Sequence, residues 1–172
     1  MGKIKPRFEW AASVVGAGPS DKILEIGCGA GLLAGRLAEA FVSGHITAID
    51  KSASMIAKAR KNNQRHIRDG IMTVGELDFK EFEKQTVFNK VIAFNVNLFL
   101  KDSPTEFRIL QEILQDNGRL FCFYQFPYMI TINAASPIAE HLETAGFDTK
   151  EILFKDIEPA PVICVIAQTK TL

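Results

Sequence analysis

Glu25 lies two residues before a run of alternating glycines, Gly27, Gly29 and Gly31, with Cys28 and Ala30 between them. The carboxylate follows Ile23 and Leu24 and precedes Ile26 in a short, otherwise apolar run, ILEI, of the kind that a fully buried parallel strand shows. Burying an ionised carboxylate without a partner is costly. Glu25 therefore either pairs with a nearby Lys or Arg or faces a positively charged ligand group at the end of its strand. Three glycines at every second position ask for backbone angles and close approaches that a Cβ would block. The second acid with a chemical role in view is Asp50, which closes the apolar stretch His45–Ile49. An acid about twenty residues beyond a glycine turn can accept hydrogen bonds from the 2′- and 3′-hydroxyls of a ribose. Its alternative role is to cap the next helix, which Ser52 could do equally well.

These residues need elements to hold them. Leu32, Leu33, Leu37, Ala38 and Phe41 recur at helical spacing, so the unit reads strand, glycine turn, helix, with the helix running from Gly31 to Val42. Free N–H groups at such a turn suit a ligand with acceptor groups. Upstream, Phe8, Ala11, Ala12 and Val15 predict an amphipathic helix over residues 5–15 that carries Trp10, the single tryptophan. Downstream, further helices are predicted at 52–61, from Asp102-Ser103-Pro104 to about Leu114, and at 134–145. Asn117-Gly118 is read as the end of the second of these. Strands are predicted at 23–26, 45–49, 71–74, 87–94, 120–124, 147–154 and 162–168, with 62–70 as a polar surface connection. The short joint before Val162 makes the last two strands a hairpin. The expected fold is a Rossmann-like, doubly wound, mostly parallel seven-stranded sheet ending in an antiparallel β-hairpin. All 172 residues are expected to form one domain, with 1–20 as an N-terminal helix and turn and no separate substrate domain.

The glycine pattern separates two families. The dinucleotide-binding fingerprint G-x-G-x-x-G fails at Leu32. Glu25-x-Gly27-x-Gly29-x-Gly31 instead resembles the first motif of the class I S-adenosylmethionine (SAM) dependent methyltransferases, and the resemblance extends from about Phe8 to Thr169. ILQDNGRLFCFY and LETAGFDTKEI are similar to that family's segments before its fifth and sixth strands. The resemblance implies SAM as methyl donor and S-adenosylhomocysteine as product. It also implies that Glu25, Gly27, Cys28, Gly29 and Gly31 hold the methionine end, with Asp50 and Lys51 at the ribose and Met55 near the adenine. Glu76 and Leu77 would hold the adenine, with Asp78 competing for the acidic role, and Asn95 would sit at the donor or acceptor from the end of its strand. Trp10, Tyr124 and Tyr128 are candidates for substrate contact, with His141 as a fourth. No catalytic residue is singled out, because methyl transfer needs a base only when the nucleophile arrives protonated.

The bulk composition narrows the partners. Lys plus Arg and Asp plus Glu both number 20, which weighs against binding a bare nucleic-acid backbone. The basic stretch Lys58 to Arg68 reads as a solvated face. The Asn/Asp-Pro-Pro-Tyr motif of enzymes that methylate base or glutamine amide nitrogens is absent after Phe94. Phe94, Leu98, Phe99, Phe126 and Tyr128 near the presumed mouth lean towards a small organic acceptor, and a second subunit closing an open site is one alternative. The three cysteines show neither disulfide nor zinc spacing, and no apolar run is long enough for a membrane span. A cytoplasmic enzyme without a metal is expected. A non-catalytic SAM-binding module and an NAD(P)-dependent oxidoreductase are the other classes considered.

Overall fold

The computed structural model describes residues 5–126 and 131–170. The chain divides into two compact units, Met1–Phe82 and Glu83–Leu172. Among the described residues seven strands, β1 (Lys22–Ile26), β2 (His45–Asp50), β3 (Met72–Glu76), β4 (Phe88–Phe94), β5 (Leu114–Gln125), β6 (Phe147–Lys155) and β7 (Val162–Thr169), make one sheet in the order β3-β2-β1-β4-β5-β7-β6, mostly parallel and ending in an antiparallel hairpin, as expected.

The first unit contains α1 (Pro6–Val15), β1 (Lys22–Ile26), α2 (Leu32–Ala38), β2 (His45–Asp50), α3 (Ala53–Asn62), α4 (Gln64–Arg68) and β3 (Met72–Glu76). β1, β2 and β3 pair in parallel, with Glu25 beside Ala48 and Asp50 beside Glu76. Four of the five β1 residues are buried, as the continuous apolar run requires. The carboxyl ends of the three strands thus bring Glu25, Asp50 and Glu76 to one edge, where open α/β sheets take ligands.

Two expectations here need correction. The helix after the glycine turn stops at Ala38 rather than Val42. The N–H groups of Val42, Ser43 and Gly44 all donate to the Pro19 carbonyl at 2.8–2.9 Å, which bends the chain away, and Val42 is exposed. Residues 62–70 are not a plain connection, because Gln64–Arg68 makes a helical turn of its own that follows α3 almost without a break.

The second unit contains β4 (Phe88–Phe94), α5 (Pro104–Ile113), β5 (Leu114–Gln125), α6 (Ser136–Thr144), β6 (Phe147–Lys155) and β7 (Val162–Thr169). β4 and β5 are parallel, and β7 runs antiparallel between β5 and β6. Asn117-Gly118 does not end α5; the helix ends at Ile113 and the pair lies in an irregular stretch of β5. Asn117 does adopt the left-handed conformation, with φ 62°. A Cβ on Gly118 would lie 2.8 Å from the Gln115 carbonyl oxygen, so glycine serves a tight bulge there. Ser103 stands at the start of α5, but its hydroxyl donates to the Leu98 carbonyl at 3.0 Å and does not cap the helix.

Candidate functional site

Glu25 is 2% exposed, and its Oε2 has no hydrogen-bond partner. Burial pushes its carboxyl up to about 8, the negative Asp50 adds to the rise, and the Ala34 backbone N–H opposes it. Among the described residues no Lys or Arg pairs with it. The pairing alternative is therefore not what the fold adopts. The Ala34 N–H thus reaches one side of a buried carboxyl whose Oε2 is left without a partner.

The glycine turn folds around this acid. Gly27, Gly29 and Gly31 have φ of 68°, 53° and 69°, conformations that a side chain would strain. Two of them serve different ends. A Cβ on Gly29 would meet nothing within 4 Å, so the turn opens onto free space there. A Cβ on Gly31 would lie 2.6 Å from Asn63 Nδ2 and 3.0 Å from the Ala59 Cβ. Gly31 is bare so that α3 can pack against it. Cys28 is buried, and burial together with Glu25 and Asp50 pushes its thiol up, so it is no nucleophile.

Asp50 is committed more than the sequence suggested. Its Oδ2 accepts from the Gly29 N–H at 2.8 Å and its Oδ1 from the Ser52 N–H at 2.9 Å. It ties the glycine turn to the start of α3, while Ser52 Oγ caps that helix by accepting from the Met55 N–H. Each carboxylate oxygen has a second lone-pair direction, so acceptor capacity remains. Lys51 is exposed and Met55 half-buried beside it.

At the end of β3 the exposed Glu76 carboxylate has no side-chain partner among the described residues, whereas Asp78 accepts from the Lys80 N–H at 3.2 Å. The Leu77 N–H donates to the Asp50 carbonyl at 3.0 Å. The β2–β3 ladder thus runs one step further than the sequence shows and takes up the Leu77 N–H.

The second unit changes the reading of several residues. Asn95 has φ 57°, and its side chain clamps Gln125: Oδ1 accepts from the Gln125 N–H at 2.8 Å and Nδ2 donates to its carbonyl at 3.3 Å. Its amide thus joins the ends of β4 and β5. Tyr124 is 3% exposed, and its hydroxyl donates to the Val96 carbonyl. Burial raises its pKa further, so it is a core residue and no base. Phe94, Leu98 and Phe99 are buried too and line no mouth. Phe126 stacks on Tyr124 at 5.8 Å, and Tyr128 lies outside the described residues. His141 Nδ1 lies 3.1 Å from the Phe99 carbonyl, to which it must donate, and its ring borders a groove between α5 and α6. Trp10 is half-buried on α1, which Glu9 ties to α2 through Arg36 at 3.0 Å. No group of three His, Cys, Asp or Glu side chains among the described residues could hold a metal, and no described helix is long and apolar enough to cross a membrane.

Sequence reasoning missed Asn62 and Asn63, which hold the glycine turn from behind. The signal was the Gly31–Gly35 spacing, which bares one face of a helix to a close neighbour.

Comparison with known proteins fits this geometry. A tRNA1(Val) (adenine(37)-N6)-methyltransferase from Vibrio campbellii is 35% identical over 75 residues, which is 44% of this chain and 31% of that protein. The match thus spans less than a third of that relative's length. Among solved structures, the glycopeptide N-methyltransferase MtfA complexed with sinefungin superposes with a TM-score of 0.79 at 15% identity, over 99% of this chain and 89% of its own. The magnesium protoporphyrin IX methyltransferase of Synechocystis PCC 6803 with bound SAM gives 0.73 at 18% identity, over 94% and 77%. Residues 18–156, well over half the chain, match the family model described as a methyltransferase domain. With the strand order, the terminal hairpin and the glycine turn after β1, that match settles the family: the chain belongs to the class I S-adenosylmethionine-dependent methyltransferases.

Proposed function

We propose that the protein transfers the methyl group of SAM to a small organic acceptor, with the donor held by the first unit. One observation carries the donor half: the orphaned Glu25 Oε2, buried beside a turn that opens at Gly29. Glu25 suits the amino group of the methionine end and Asp50 the ribose hydroxyls. The free Glu76 carboxylate is the better placed of the two acids for the adenine amino group, since Asp78 is engaged at its own helical turn. When bound, SAM supplies a sulfonium methyl carbon open to in-line attack. What the chain adds is orientation, which alone can contribute roughly 7–11 kcal/mol of a barrier. Neither Tyr124 nor Cys28 serves as a base, in keeping with an acceptor that arrives ready to react.

The acceptor half rests on the end of β4, where Phe94-Asn95-Val96-Asn97 stands without the Pro-Pro of the base- and amide-methylating enzymes. A nucleic-acid acceptor is the second reading. It is favoured by the match to the tRNA methyltransferase and by the basic faces of α3 and α4, where Lys58, Arg60, Lys61, Arg65 and Arg68 are all exposed. Transfer of radiolabelled methyl from SAM, assayed against phenols, amines and carboxylic acids in parallel with unmodified tRNA, separates the two. Labelled small-molecule product supports the first reading, and label in tRNA alone overturns it.

A further inference from the structure

The step Asn62-Asn63 ends α3 and holds the glycine turn by two hydrogen bonds, one from each side chain. Asn62 Nδ2 donates to the Ala30 carbonyl at 3.0 Å. Asn63 Nδ2 donates to the Gly31 carbonyl at 3.0 Å and to the Ala59 carbonyl at 2.9 Å. Asn63 is 3% exposed, one of three buried polar or charged side chains among the described residues. Its amide fills the notch left by two glycines one helical turn apart. A Cβ on Gly31 would lie 2.6 Å from Nδ2, and one on Gly35 would lie 2.3 Å from Oδ1.

We propose that Asn62 and Asn63 are positioning residues for the cofactor site, holding the glycine turn in its binding conformation from the face that packs on α3. A trans peptide is planar, so its carbonyl and the following N–H point in opposite directions. Fixing the Ala30 carbonyl on Asn62 therefore aims the Gly31 N–H away, onto the Cys28 carbonyl at 2.9 Å. Asp50 holds the Gly29 N–H, and the Ile49 carbonyl holds that of Cys28 at 2.9 Å. Asn62 and Asn63 complete this set from the other side, so the turn has one conformation before any ligand arrives. Where a binding-competent state is only partly populated, the apparent dissociation constant rises as that fraction falls. Loss of either asparagine lets the turn wander and weakens binding without touching the ligand.

The proposal rests on the reading that this turn holds SAM, and titration calorimetry with S-adenosylhomocysteine tests both separately. If the wild type fails to bind, the reading of the site is wrong. If it binds, Asn62→Ala decides. It removes one hydrogen bond from an exposed residue, so circular dichroism should show a folded protein. Its dissociation constant should rise about five- to tenfold, the range that losing one such bond gives. The neighbouring Lys61→Ala should bind as the wild type does. For Asn63, Gly35→Ala pushes its amide aside, and Gly35→Ala/Asn63→Ala makes room for the new Cβ. The double variant should regain thermal stability over the single one but not its affinity. An unchanged Asn62→Ala, or a double variant that recovers affinity together with stability, overturns the proposal.

Discussion

Replacing Glu25 by glutamine should stabilise the protein and disable it. In the fold the Glu25 carboxyl titrates at about 8 against an ordinary 4.5, because it is buried and Asp50 is close. Between those values the native state keeps a proton that the unfolded chain releases. Stability therefore falls as pH rises through this window and is fully present only below about 4.5. At pH 7 the unfolded chain has gained roughly 3 kcal/mol from ionising Glu25, at about 1.4 kcal/mol for each unit of pH. Glutamine has no proton to lose, and its side-chain oxygen can still accept from the Ala34 N–H. Glu25→Gln should thus match the wild type near pH 4 and exceed it by up to about 3 kcal/mol at pH 7, a difference that levels off above pH 8. Urea denaturation from pH 4 to pH 9 measures it. The same variant should bind S-adenosylhomocysteine about 10- to 100-fold more weakly, as loss of a hydrogen bond to a charged group implies. Wild-type binding at pH 7 should release a proton, because a ligand ammonium group ionises Glu25. A stability difference that does not change with pH, or a variant less stable than the wild type at pH 7, would refute this reasoning. Glu25 would then be ionised and partnered in the ligand-free fold.

Asp50→Ala removes the acceptor of two backbone N–H groups, so it should lower stability by about 2–3 kcal/mol as well as weaken donor binding; unchanged melting would show that the turn does not depend on it. Gly29→Ala meets open space and pays only for its left-handed backbone, about 1–3 kcal/mol, so it should fold but bind poorly. Gly31→Ala drives a Cβ into Asn63 and Ala59 and should melt well below Gly29→Ala in the same thermal scan. Tyr124→Phe loses the bond to the Val96 carbonyl and should cost about 1 kcal/mol of stability in urea titration, with donor affinity unchanged.

The sheet was legible because its strands are apolar runs, and the terminal hairpin because the joint between its strands is short. Glu25 was legible because a charge inside an apolar run has few explanations. What escaped was set by hydrogen bonds that have no periodicity. The Pro19 carbonyl gathers three N–H groups and cuts α2 short of its apolar pattern. Leu77 loses its N–H to a ladder that extends past the β-forming residues, and Asn95 turns its amide to Gln125 across the sheet. Phe94, Leu98 and Phe99 read as part of a mouth, and Tyr124 as a substrate contact, because large apolar and aromatic residues near a strand end serve core and mouth alike. Only their burial separates the two roles. Gly29 and Gly31 are the same letter two positions apart, yet one faces open space and the other a packed helix.

The most direct test of the donor site is calorimetry of the wild-type protein at pH 7 against S-adenosylhomocysteine and NAD, repeated in buffers of different ionisation enthalpy. S-adenosylhomocysteine should bind with a micromolar dissociation constant, about −8 kcal/mol, and release a proton, while NAD gives no heat of binding. Tighter binding of NAD, or S-adenosylhomocysteine binding with no proton released, would contradict the assignment of Glu25 and its glycine turn to the methyl donor.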